Sequence, residues 1–173
     1  MKSITTLRPL VFLIILCSCV SCRLFQNDDE PKTELDKLPP ITQTGENTFG
    51  CLINGEAMAI SNSLNMTAIY QGGGVQFGGG GVYIVVLDPF AIDVPYDFMD
   101  IGEGTSRAKY TKKVQEEVFC FYEYENTYEG FVTFSNIDQE NFIISGTFEY
   151  STVTQDCDTI RITNGRFDMQ YIP

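Results

Sequence analysis

Two stretches decide the fold: FIISGTFEY, Phe142 to Tyr150, and TIRITNGRFDMQY, Thr159 to Tyr171. The first puts Phe142, Ile144, Gly146, Phe148 and Tyr150 on one side, with Ser145, Thr147 and Glu149 on the other. The second alternates around Asn164-Gly165, with Ile160, Ile162, Phe167, Met169 and Tyr171 facing in and Arg161, Arg166, Asp168 and Gln170 facing out. Successive side chains of a strand point to opposite faces, so a period of two reads as half-buried strand.

The same reading extends upstream. TFGCLINGEAMAI, Thr48 to Ile60, has Phe49, Cys51 and Ile53 on one face and then Asn54-Gly55, a pair whose tolerance of positive φ suits a tight hairpin. VYIVVL, Val82 to Leu87, is apolar on both faces and reads as a central strand. GGGVQFGGGG, Gly72 to Gly81, lacks the Lys-Ser/Thr of a phosphate loop and precedes a strand. Its glycines read as hairpin ends, bulges or close backbone approaches around a short strand Val75 to Phe77. No segment repeats at 3.6 residues. Seven or more short strands in one domain, residues 46–173, predict an all-β fold, an antiparallel β-sandwich or a partly closed barrel.

The chain begins differently. Lys2 and Arg8 precede LVFLIIL, Leu10 to Leu16, the charged start and apolar core of a secretory signal. The run is too short for a spanning helix, which needs roughly 20 apolar residues. It ends in LCSCVSC, and LCSC, Leu16 to Cys19, looks like the lipobox of bacterial lipoproteins. Cys19 is the better acceptor, with an aliphatic residue three positions before it and a small one just before it; Cys22 follows Ser21 but lacks the aliphatic residue. Residues 1–21 thus form the signal and lipobox region. A cysteine carrying two or three acyl chains, palmitate among them, is held far more firmly than one with a single chain.

Residues 22–45 contain the acidic run Asp28 to Glu30 and prolines 31, 39 and 40, and read as a flexible tether. Its root-mean-square reach is roughly 25 to 30 Å. The acidic run also reads as a surface-export signal. Thr44 to Ala57 (TGENTFGCLINGEA) and Ile143 to Tyr171 (IISGTFEY…DTIRITNGRFDMQY), behind this lipobox and tether, resemble a family of uncharacterised Bacteroidota lipoproteins with a single β-rich domain. The resemblance implies an outer-membrane, lipid-anchored β domain, facing the periplasm or the cell surface. It transfers no catalytic residue.

Composition narrows the chemistry. The 173 residues are 43% apolar, enough for one cored domain, and carry 11 basic against 23 acidic side chains for a net charge of −12. Nucleic acid is an unsuitable partner, because phosphate contacts need clustered Lys and Arg. An anionic membrane surface also repels the domain, leaving the acyl chains to hold it. With no histidine, Ser/His/Asp and Cys/His catalysis and histidine-containing zinc sites are excluded. No metal or cofactor is called for.

The remaining candidates are weaker signals. Asp88, Asp93, Asp97, Asp100 and Glu103 lie in a proline-containing loop, where acids bind Ca²⁺ or form a hydrolytic pair if brought together and otherwise stay solvated. Tyr122, Tyr124 and Tyr128 lie in VFCFYEYENTYEGF, Val118 to Phe131, and offer a platform for a sugar ring or a protein if exposed, or sheet packing if not. RAKYTKK, with Arg107, Lys109, Lys112 and Lys113, reads as the lysine-guarded face of an edge strand or as a dock for an anionic glycan or acidic protein. Cys157, between Asp156 and Asp158, is the domain cysteine best placed for a disulfide in an oxidising compartment. Cys51 suits burial, so Cys120 is the expected partner and Cys51 the alternative; ring size separates the two by only about 1 kcal/mol.

The sequence thus predicts a lipid-anchored cell-envelope protein whose domain serves non-enzymatic binding, adhesion or assembly, with a glycan or protein as partner. An envelope hydrolase using paired carboxylates and a barrel carrying a small apolar ligand are the alternatives.

Overall fold

The structure, a computed structural model, describes residues 33–99, 105–116 and 118–173. The lipidation candidates Cys19 and Cys22, and Asp100 and Glu103 of the acidic loop, lie outside the described residues. Among the described residues there are eleven strands: β1 (Thr48–Ile53), β2 (Glu56–Ile60), β3 (Met66–Tyr70), β4 (Gly74–Gly79), β5 (Val82–Leu87), β6 (Pro95–Asp97), β7 (Arg107–Gln115), β8 (Val118–Tyr122), β9 (Thr127–Asp138), β10 (Ile143–Thr152) and β11 (Ile160–Gln170). Helical structure there is confined to short 3-10 turns at Glu34–Lys37, Ser63–Asn65 and Tyr124–Asn126.

The strands form two antiparallel sheets, a six-stranded one in the order β2-β1-β11-β10-β9-β6 and a five-stranded one in the order β3-β4-β5-β7-β8. They do not close into a barrel, so of the two expected architectures the domain is the β-sandwich. Their inner faces meet through aromatic rings. Phe77 of the five-stranded sheet packs 4.4 Å from Phe167 and 6.1 Å from Phe134 of the other, ring centroid to ring centroid. Phe49 stacks on Phe148 at 5.2 Å within the six-stranded sheet. Filling the interior with rings gives roughly 1.5 to 3 kcal/mol per fully buried side chain.

Local sequence explains the connections. Asn54 and Gly55 turn β1 into β2 with φ of 50° and 89°, the left-handed pair a two-residue hairpin needs. β11 runs unbroken through Asn164-Gly165, where two residues oppose one on each neighbouring strand. That bulge, with Asn164 at φ 53°, is why the inward positions switch from even numbers (160, 162) to odd ones (167, 169) along a single strand. β5 lies between β4 and β7 and has Val82, Ile84, Val85 and Val86 buried, in keeping with its apolar character on both faces.

Four expectations need correction. Phe142 does not belong to the buried side of β10: it precedes the strand at φ 56° and is exposed, leaning on Tyr171. Asp168, expected to face solvent, is only 1% exposed, and Ser145 opposite it is buried as well. Residues 33–45 are not free tether. Leu38 is buried, Arg166 Nη1 donates to Pro39 O at 3.1 Å, and Asn136 Nδ2 donates to Gln43 O at 3.2 Å. Residues 38–46 therefore lie over the outer face of the six-stranded sheet, so closely that a Cβ on Gly50 would stand 2.7 Å from Pro39 Cδ. Finally, β7 is no edge strand; it lies between β5 and β8.

Asp168 is the clasp of this cover. Its carboxylate accepts from the amides of Gly45 (2.8 Å), Thr44 (3.1 Å) and Glu46 (3.2 Å) and from Ser145 Oγ (2.7 Å). Burial pushes its pKa up, but these donors outweigh burial and hold it below the ordinary carboxylate range. The Thr42 side chain makes the largest of the lowering contributions, ahead of Ser145 and the amides of Glu46 and Gly45.

Candidate functional site

Sheet edges expose unpaired backbone groups, and three of the four edges here are protected. Along β2, Glu34 Oε2 accepts the Ala57 amide at 2.9 Å. Along β3, the C-terminal segment pairs in parallel: Tyr70 N donates to Ile172 O at 2.7 Å and Ile172 N to Ala68 O at 3.0 Å. β6 is three residues long and begins with a proline. The fourth edge, β8, has no backbone partner beyond β7 among the described residues.

β8 is also the most apolar of these edges. Val118, Phe119 and Phe121 are 52%, 44% and 57% exposed, and the two phenylalanine rings lie 5.9 Å apart on the outer face. The inner face of the strand is pinned. Cys120 and Cys157 are joined by a disulfide with Cα atoms 6.2 Å apart, and Tyr122 Oη donates to Asp158 O at 2.7 Å. Both bonds reach the loop between β10 and β11, so the five-stranded sheet's outermost strand is fixed to the six-stranded sheet from within while its edge stays open.

The cations come from β7, beside β8. Register places Thr111 opposite Phe121 and Lys113 opposite Phe119, while Lys109 faces Tyr83 of β5. Arg107 Cζ lies 4.9 Å from the centroid of the Tyr124 ring, and Lys109 Nζ lies 5.3 Å from Tyr124 and 5.6 Å from Tyr83. Cations over ring faces are held by the ring quadrupole, which orders these long side chains beside β8. Burial raises the pKa of both Tyr83 and Tyr124, so both hydroxyls remain protonated. Lys109 and Lys112 have distant acidic partners, Glu123 at 3.7 Å and Asp158 at 3.8 Å; Arg107 and Lys113 have none among the described residues.

At one end of β7 and β8 a groove of about 750 Å³ opens between the sheets, lined by Ile53, Met58, Tyr110, Lys112, Lys113 and Phe119 among others. The turn from β4 to β5 forms part of its wall. Gly81, at φ 90°, approaches so closely that a Cβ would lie 2.3 Å from Thr111 O. Apolar floor, lysine rim and exposed strand edge are contiguous through Phe119 and Lys113.

The sequence-level candidates fare unequally. Of the expected tyrosine platform, Tyr122 is buried in the core, Tyr124 is engaged with Arg107 and Lys109, and Tyr128 is exposed on β9, so the three do not make one surface. The exposed aromatic pair of this segment is instead Phe119 and Phe121. Among the described residues no three acidic or cysteine side chains gather into a metal-sized cluster. Asp88 is bonded to Tyr70 Oη, and Asp97 accepts the Met99 amide at 2.7 Å. Cys51 is a buried free thiol whose pKa burial pushes up to about 12, which makes it inert rather than nucleophilic. Among the described residues no helix is long and apolar enough to cross a membrane. Comparison of the chain with models of known protein families, with curated proteins and with solved structures finds no match.

Proposed function

We propose that the protein is an exported, lipid-anchored binding module of the bacterial cell envelope, acylated at Cys19 or, as second choice, at Cys22. The LCSC motif and the apolar run before it support the anchor. Binding rather than catalysis is supported by one observation above all: among the described residues, three sheet edges of this acidic protein are shielded and the fourth is apolar, open and flanked by a cluster of basic residues. A surface of that kind is a liability unless something occupies it.

Two measurements test this reading. Replacing Cys19 and Cys22 together by alanine is expected to abolish metabolic labelling with palmitate and to release the protein from membranes; continued labelling of that double variant would remove the anchor. For the domain, the full-length protein in detergent micelles is expected to retain acidic peptides or anionic polysaccharides on a solid-phase panel, and to turn over no common glycoside, ester or peptide. Hydrolysis lost on changing Asp93, Asp97 or Asp100 alone would replace the binding reading with the carboxylate hydrolase.

A further inference from the structure

We propose that the open edge of β8 is a strand-addition site, and that its occupant is an extended acidic peptide segment of another protein, an inference that rests on the binding reading above. Strand addition needs a rigid edge with free main-chain groups, because the new strand gains most of its affinity from backbone hydrogen bonds. β8 meets both conditions. The Cys120–Cys157 disulfide and the Tyr122 hydroxyl fix the strand from its inner side, and no described backbone group caps its outer side.

Side chains define the occupant further. Successive side chains of a sixth strand alternate in face: those on the inner face extend the buried surface of Cys120 and Tyr122 and are apolar, while those on the outer face stand beside Phe119 and Phe121, on the same face as Lys113. Behind Phe119 stands Lys113, which has no acidic partner among the described residues; Thr111 stands behind Phe121, and Lys109 and Arg107 follow on the same face of β7 beyond it. Acidic residues on the incoming segment complement this charge, while Glu56 in the groove disfavours a segment that is acidic throughout. A polysaccharide is the poorer fit. Rings of sugars stack on flat aromatic faces, whereas Val114 and Val118, 48% and 52% exposed, present branched aliphatic surface beside the phenylalanines. A second copy of β8 supplies no acid to meet the basic residues.

The test uses the full-length protein in micelles and a dye-labelled synthetic peptide of about eight residues alternating valine and glutamate, the length of an ordinary strand. A valine–lysine peptide of equal length and an anionic polysaccharide, polygalacturonate, serve as comparisons. The valine–glutamate peptide is expected to bind, to slow amide exchange at Val118 to Tyr122, and to weaken about fivefold on Lys113→Glu, an exposed substitution that leaves the fold intact. Phe119→Ser with Phe121→Ser is expected to abolish binding without altering far-UV circular dichroism. Peptide binding with unchanged exchange in β8 overturns strand addition and leaves the binding module standing. Exchange already slowed in a concentration-dependent way without peptide assigns the edge to a second copy and overturns the acidic partner. Binding of polygalacturonate but not of peptide overturns the peptide alone. Retention of neither overturns both this inference and the reading on which it rests.

Discussion

The outer faces of the two sheets depart from ordinary alternation in opposite directions. On the six-stranded sheet, outward polar residues are buried: Ser145 and Asp168 lie beneath residues 38–46. On the five-stranded sheet, outward aromatic residues are exposed: Phe119 and Phe121 have nothing over them among the described residues. Both departures have one physical origin. Alternation fixes which face a side chain takes, whereas its burial depends on what the rest of the chain lays across that face. Among the described residues, the first sheet has received its cover from its own chain and the second has not.

The disulfide gives the largest handle on this contrast, because it joins the open sheet to the covered one. Replacing Cys120 and Cys157 together by serine removes a crosslink across a sequence separation of 37, worth about 4 kcal/mol in the chain-entropy estimate. Denaturant unfolding of the oxidised parent against the double variant measures it. Amide exchange in the double variant is expected to accelerate first in β8, which loses its inner anchor, and only later in β10 and β11. Uniform acceleration would mean that the two sheets unfold as a single unit with no weaker margin.

Asp168→Asn attacks the cover. It leaves the amides of Thr44, Gly45 and Glu46 and the Ser145 hydroxyl sharing a neutral acceptor with half the capacity, at an expected loss of about 2 to 3 kcal/mol. The pH dependence has a definite sign. Because the folded pKa lies below the ordinary value, the native state holds its proton less tightly than the unfolded chain does. The stabilisation is therefore complete above the ordinary carboxylate range and fades as pH falls through it toward the folded pKa. The gap in unfolding midpoint between parent and variant should be constant near neutrality and narrow below about pH 4. A gap that widened in acid would mean that Asp168 is protonated in the native protein.

Gly50→Ala tests the same cover from beneath, by geometry instead of charge. The added methyl meets Pro39 Cδ at 2.7 Å and Met58 O at 2.9 Å, and since the second is backbone of β2 the proline segment must yield. An expected loss of about 1 to 2 kcal/mol follows, with raised exchange confined to residues 38–46.

These contrasts also mark what the sequence made legible. Period-two patterning revealed β1, β10 and β11, because strands buried on one face must alternate, and a short run apolar on both faces revealed β5; together they gave the all-β class. The cysteine argument singled out Cys120 and Cys157, since a cysteine flanked by two aspartates has little chance of apolar burial. The cover over Asp168 was invisible: PPITQTG has the composition of a linker, and only contacts across more than a hundred residues show that it is held. The exposure of Phe119 and Phe121 was invisible for the complementary reason. A short run that is apolar on both faces has the same composition whether it lies in the centre of a sheet, as VYIVVL does, or at an edge, as VFCFY does. Neighbour order is a property of the whole chain, which no local window contains.

Phe121→Ser is expected to have the smallest effect on stability, and it sharpens the contrast most. A side chain 57% exposed on an edge strand has surrendered little water; the Phe119 ring lies 5.9 Å away and Thr111 is its cross-strand neighbour. The change should therefore lie within about 0.5 kcal/mol of the parent in denaturant unfolding, as surface substitutions usually do. An equivalent serine at Phe134, fully buried and ringed by Phe77, Phe90 and Phe167, should lose about 3 to 5 kcal/mol. If Phe121→Ser is instead destabilising by more than about 1 kcal/mol, the ring is covered in solution and β8 is not the open edge of this sandwich. If it is neutral, the protein keeps a large aromatic side chain in water at no benefit to its own fold, which is the physical mark of a residue retained for something outside it.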